Sequence, residues 1–132
     1  MIFGIAWYWV LLAAVVYFGI GAAWYSPALF GKQWAKELGR KPGDMGANAG
    51  QAMVVTFLTM LVLVMTEAYF VHATGTQGMW RGFYLGVKLW LGFAATTALV
   101  NNSFQSSSKK LYAIDQGYHL VGIALAGAIL AH

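Results

Sequence analysis

The chain has 132 residues, 60% of them hydrophobic and 9% charged, whereas a soluble domain carries roughly 25% charged residues. So few charges cannot cover a water-facing surface without leaving large apolar patches, which excludes an ordinary soluble fold and makes lipid the expected surroundings. The net charge of +4 does not call for nucleic acid, because the basic residues belong at helix ends beside a membrane; the absence of cysteine removes disulfides, thiolate nucleophiles and cysteine-ligated metals.

The first apolar stretch, residues 2–25, is uncharged. Trp7, Tyr8 and Trp9 mark one end and Trp24 and Tyr25 the other. The 17 steps from Trp7 to Trp24 correspond to about 25 Å of helix, close to the ~30 Å of a hydrocarbon core, so these aromatics are expected at the two interfaces. No Lys or Arg precedes the stretch, and it is longer than a signal-peptide core. It is therefore expected to be a retained span.

The segment that follows changes character. Ser26-Pro27 is expected to start a helix, with Ser as the cap and Pro at the first helical position. Phe30, Trp34 and Leu38 recur every four residues, while Lys32 and Lys36 fall elsewhere. That pattern predicts a short amphipathic helix lying in the membrane surface. Residues 42–50 carry loop chemistry.

Span two covers residues 51–73 and contains Glu67. A link at 74–79 leads to span three, residues 80–100, which contains Lys88. A polar link at 101–110 leads to span four, residues 111–131, which holds Asp115 and His119. The expected fold is all-α: a single-domain integral membrane four-helix bundle over residues 1–132, with the interfacial helix between spans one and two. Lys32, Lys36, Arg40, Lys41, Lys109 and Lys110 fall on one side of the membrane, and Arg81 on the other. Both termini are therefore expected to be non-cytoplasmic. The Asn101-Asn102-Ser103 glycosylation pattern then lies on the cytoplasmic side and is set aside. Gly82-xxx-Gly86 is a small-residue motif that fits either a dimer face or a contact within the bundle.

A charge at the centre of a membrane helix costs at least about 2.5–3.5 kcal/mol on insertion scales, so each needs a partner or a purpose. Glu67 and Lys88 lie within about one helical turn of each other in depth if spans two and three are antiparallel. An ion pair between them is the structural expectation, and a proton or ion site at Glu67 the functional one. Lys88 could alternatively snorkel back toward the Arg81 side. Asp115 and His119 share a face of span four, with Tyr118 beside them and Gly122 continuing the face. The structural expectation is a hydrogen-bonded contact with Asn101, Asn102, Thr96 or Thr97 of span three. A carboxylate one turn from an imidazole also suits proton handling or metal support. His72 and His119 differ by about 15–18 Å in depth, too far to share one haem. No metal site, nucleotide loop, zinc-protease motif or nucleophile elbow is present, and no cofactor is expected.

The residues so assembled resemble the DUF1761 family of small four-helix bacterial membrane proteins. The resemblance rests on Gly21-Ala22-Ala23-Trp24-Tyr25-Ser26-Pro27, on Leu29-Phe30-Gly31-Lys32 with Trp34, and on Trp90 to Thr97. It continues through Asn101-Asn102 with Phe104, Lys110 to Ile114, Gly117-Tyr118-His119-Leu120 and Gly127 to Leu130. Where family members usually carry an acidic-basic turn, this chain has Gln105-Ser106-Ser107-Ser108. The resemblance implies a membrane bundle and draws weight to Trp24, Tyr25, Asn101, Asn102, Tyr118 and His119. Glu67, Lys88 and Asp115 lie outside the family pattern. The family carries no assigned activity.

The function expected first is that of a non-catalytic membrane protein: a homo-oligomer or an accessory subunit of a larger membrane complex, with the lipid bilayer as its surroundings. A small proton- or ion-coupled transporter or channel formed by oligomerisation comes second. A cofactor-binding membrane subunit, holding haem, quinone or pigment beside Tyr118 and His119, comes third. An enzyme is not expected, because no nucleophile–base set is visible.

Overall fold

Residues 1–6 stand apart from the first helix in the computed structural model, which describes residues 1–41, 43–44 and 46–132. Pro42 and Met45, part of the expected 42–50 loop, lie outside the described residues. Ile2 and Ile5 exchange backbone hydrogen bonds of 2.7 and 3.0 Å, with Phe3 and Gly4 at positive φ between them. The resulting turn sets Phe3 edge-on to Tyr69, 5.6 Å away. Helix α1 therefore begins later than expected and runs Trp7–Trp24.

Helix α2, Gly31–Glu37, is also shorter than the sequence suggested. Ser26 does not cap it. The Ser26 hydroxyl donates back to the Ala23 carbonyl (2.6 Å), and the Ser26 carbonyl accepts from Leu29 and Gly31 in a tight turn over the end of α1. Phe30 packs on Trp24 (4.8 Å between centroids) and Trp34 on Tyr25 (5.5 Å), so the aromatics of α2 grip the end of α1.

Helices α3 (Ala49–Ala73), α4 (Met79–Phe104) and α5 (Lys109–Leu130) complete the chain. With α1 they make four helices long and apolar enough to cross a membrane. Asn101 and Asn102 lie inside α4, not in the link after it. Ser108 caps α5, its hydroxyl accepting from the backbone of Lys110 and Leu111. Within α4, Trp90–Ala95 is π-helical. Such a stretch loosens the regular ladder, and the Tyr112 hydroxyl donates to the Ala95 carbonyl at its end (2.7 Å).

Helix α5 is the centre of the bundle. Half of its most apolar stretch is buried, against 11% for α4. It runs antiparallel to α1, and contacts descend in order from Trp9 with His132, through Tyr17 with Gly122 and Gly21 with Tyr118, to Trp24 with Gly117. It also runs antiparallel to α4, where Gly82 meets Gly127 and Gly86 meets Ile123 and Ala124. A Cβ on Gly82 would strike the Gly127 carbonyl, and a Cβ on Gly127 would strike the Gly82 carbonyl. The small-residue motif of α4 is thus spent on an internal crossing, where bare backbones approach as membrane helices do when no hydrophobic drive joins them. Helix α3 closes the core with a stripe of Met60, Val64, Ala68 and Val71.

Candidate functional site

The polar side chains buried between helices gather in three places. The first is the seam of α1 and α5. Tyr25 donates to Asp115 Oδ1 at 2.6 Å, nearly two turns into α5. One turn deeper, Tyr118 donates to the Tyr17 carbonyl at 2.9 Å and approaches the Met60 sulfur at 3.6 Å. Deeper still, the Tyr17 hydroxyl and His119 Nδ1 share a hydrogen bond of 2.5 Å. The rings of Tyr17, Tyr25 and Tyr118 stand edge to face, with centroids 5.3 Å (Tyr17–Tyr118) and 5.6 Å (Tyr25–Tyr118) apart. Glycine makes the seam possible: a Cβ on Gly122 would lie 2.7 Å from the Tyr17 ring, and one on Gly21 would lie 2.8 Å from the Tyr118 oxygen.

Asp115, Tyr118 and His119 take hydrogen-bond partners from α1 and not from the span-three residues expected. Thr96 and Thr97 instead bond their own helix, donating to Gly92 and Phe93 carbonyls at 2.9 and 2.5 Å. Tyr112 and Gln116 are α5 side chains that hydrogen-bond to α4, Gln116 accepting from the Trp90 indole at 3.2 Å. The partners of Asp115 and His119 are tyrosines of α1. Trp24 and Tyr25, expected as interfacial anchors, turn inward, and the Trp24 indole donates to the Ile114 carbonyl at 2.9 Å. Tyr17 was not singled out from the sequence. Its signal was available, since it lies eight residues before Tyr25, about 80° around the helix and within the width of one packed stripe.

The second place is the basic end of the bundle. Asn102 donates to the Ser108 carbonyl (3.1 Å) and accepts from the Lys109 ammonium (2.6 Å), bracing the turn between α4 and α5. Beside it Asn101, Gln105, Tyr112, Asp115 and Gln116 line a polar cavity of about 270 Å³.

The third place separates two residues expected to pair. Glu67 is 2% exposed among the buried stripe of α3, while Lys88 is exposed on the outside of α4. Neither Glu67 oxygen has a hydrogen-bond partner among the described residues, so the expected ion pair does not form. The reason is azimuth. With Gly82 and Gly86 against α5, Lys88 stands about 200° around the helix from Gly86 and points away from the bundle.

Residues 8–131 match the family described as protein of unknown function, DUF1761. The chain belongs to that family. No curated protein and no solved structure matches it. All three places lie within the matched part of this DUF1761 protein. Four of the residues on which the resemblance rests, Trp24, Tyr25, Tyr118 and His119, converge on the α1–α5 seam. Asn101 and Asn102 sit at the basic end.

Proposed function

We propose that this protein is a non-catalytic membrane subunit that works by assembling with copies of itself or with other membrane chains, with both termini away from the cytoplasm. The observation that carries the reading is the outward-facing Lys88. It lies nine residues past the start of α4, about 13–14 Å along the helix, and a turn deeper than Tyr84. It has no hydrogen-bond partner within the described chain. Arg81, Tyr84, Lys88, Gly92 and Thr96 are exposed at intervals of three or four, and a Cβ on Gly92 would meet nothing within 4 Å. A polar stripe with a notch of this kind suits a neighbouring helix that supplies a carboxylate or carbonyl. The seam groups support the non-catalytic part, because Tyr25 with Asp115 and Tyr17 with His119 are engaged with each other as helix contacts. The orientation rests on the six basic residues at one end against Arg81 at the other.

The test is native mass spectrometry in mild detergent, with Lys88→Leu alongside. The wild type should appear as an oligomer or with a co-purifying membrane protein, and the variant should shift at least tenfold toward the lone chain. A wild type that is purely monomeric, with nothing co-purifying, overturns the reading.

A further inference from the structure

Glu67 is the buried polar side chain that no helix contact explains. Both of its oxygens are sealed from the surface and unpartnered among the described residues. Its carboxyl group occupies the space left by the missing side chain of Gly127, with Oε2 2.9 Å from where a Cβ would stand. A carboxylate so placed is compensated by a proton or by a cation from outside the chain. Lys88, the nearest cation in depth, faces the opposite way.

Glu67 is one of the residues lining a cleft of about 420 Å³ between α3 and α4, within the size range of ligand sites, its carboxyl lying behind that wall toward Gly127. Leu63, Thr66 and Phe70 form one wall, and Leu89 and Phe93 the other. Thr66 has its hydroxyl committed to the Val62 carbonyl at 2.8 Å, so Glu67 is the polar handle the walls offer. The cleft opens sideways past Phe93, which is 69% exposed, toward the hydrocarbon that surrounds a membrane-spanning bundle. Calcium and magnesium do not fit this chemistry, since they need about six or more oxygen ligands. Among the described residues no three His, Cys, Asp or Glu side chains gather to hold a metal. An apolar molecule with one positive charge does fit. The cleft would take its body, the carboxylate would balance its charge, and the faces of Phe70 and Phe93 would attract the cation through their ring quadrupoles.

The geometry points to a lipid-facing site for a hydrophobic organic monocation between α3 and α4, with Glu67 as its counter-ion. The site is complete within one chain, so it stands or falls separately from assembly. The probe is tetraphenylphosphonium, measured by equilibrium dialysis against the full chain in dodecyl maltoside, with empty micelles subtracted and tetraphenylborate as the anionic control. Saturable binding of one cation per chain is expected, with none of the anion. Glu67→Gln should raise Kd at least tenfold, equivalent to about 1.4 kcal/mol, and Phe93→Leu should weaken binding several-fold. A measurement on the wild type guards against a variant that fails to fold. A hydrophobic carbodiimide should label Glu67, and saturating tetraphenylphosphonium should slow that labelling at least tenfold. Absence of saturable binding, equal binding by a folded Glu67→Gln protein, or unprotected labelling each overturns the proposal.

Discussion

The crossing of α4 and α5 gives the sharpest mechanical prediction, through Gly82→Ala. A Cβ built on Gly82 stands 2.6 Å from the Ala131 Cβ and 2.7 Å from the Gly127 carbonyl carbon, and closer still to the carbonyl oxygen. These neighbours are backbone and the first atom of a side chain, so no rotamer change relieves the clash. To regain ordinary contact the helices must part by about 1 Å, and a gap of 0.5–1 Å already forfeits a quarter to a half of each dispersion contact along the interface. Overpacking of this kind costs about 1–3 kcal/mol, of which the better helix propensity of Ala returns roughly 0.5–1 kcal/mol. Gly19→Ala is the matched control, because a Cβ there meets nothing within 4 Å and only the propensity gain should remain. Reversible unfolding of both variants by sodium dodecyl sulfate in mixed micelles, followed by circular dichroism, should show Gly82→Ala destabilised by about 1–2 kcal/mol net and Gly19→Ala unchanged or slightly stabilised. Equal stability of the two variants would refute the close crossing and return the small-residue motif to an external role.

Tyr25→Phe should cost more than an ordinary hydrogen bond, about 1.5–3 kcal/mol, because it strands the half-buried Asp115 carboxylate. Asp115→Leu added to Tyr25→Phe should recover much of that loss, and a double-mutant cycle in the same unfolding assay with no coupling would remove the pair from the seam. At the basic end, the Ser108 hydroxyl, then Gln33 at 3.0 Å and the Lys110 and Lys36 charges, hold the Glu37 carboxyl below its ordinary range. The sign follows: the docked form of α2 favours ionised Glu37, so its stabilisation is complete above the ordinary glutamate pKa and is lost as pH falls through the lower docked value. Spin labels introduced through L38C and S107C, in a chain with no native cysteine, should report α2 leaving α5 under acid. Glu37→Gln should flatten that dependence, and a distance distribution insensitive to pH in the unmodified background would count against docking through Glu37.

What the sequence could convey depended on which coordinate of a helix was asked for. Position along the membrane normal was legible, because hydrophobic length and the 1.5 Å rise translate directly into depth. The four spans and the basic end were read from this rule. The chain ends of helices were less legible, because tertiary contacts set them. Ser26 reads as a cap, yet the Trp24–Phe30 and Tyr25–Trp34 packing needs a tight turn there, so α2 starts at Gly31. Asn101 and Asn102 read as loop residues, yet Lys109 and the Ser108 carbonyl satisfy Asn102 and let α4 continue to Phe104.

Azimuth was the coordinate that needed the fold, and one fact would have supplied it. Glu67 and Lys88 were matched in depth, and an ion pair looked economical for two costly charges. Once Gly82 and Gly86 are assigned to the α5 crossing, the 100° step of a helix turns Lys88 outward regardless of its partner. On α3, Glu67 falls in register with Met60, Val64, Ala68 and Val71, a spacing of three and four that commits it to the interior. The same glycine crossing therefore separates the two charges, Lys88 to the outside of the bundle and Glu67 to its interior. It also provides at Gly127 the vacancy that the Glu67 carboxyl fills. A pair that cancelled within the chain would have hidden both charges; the separation leaves Lys88 exposed and Glu67 buried without a hydrogen-bond partner among the described residues.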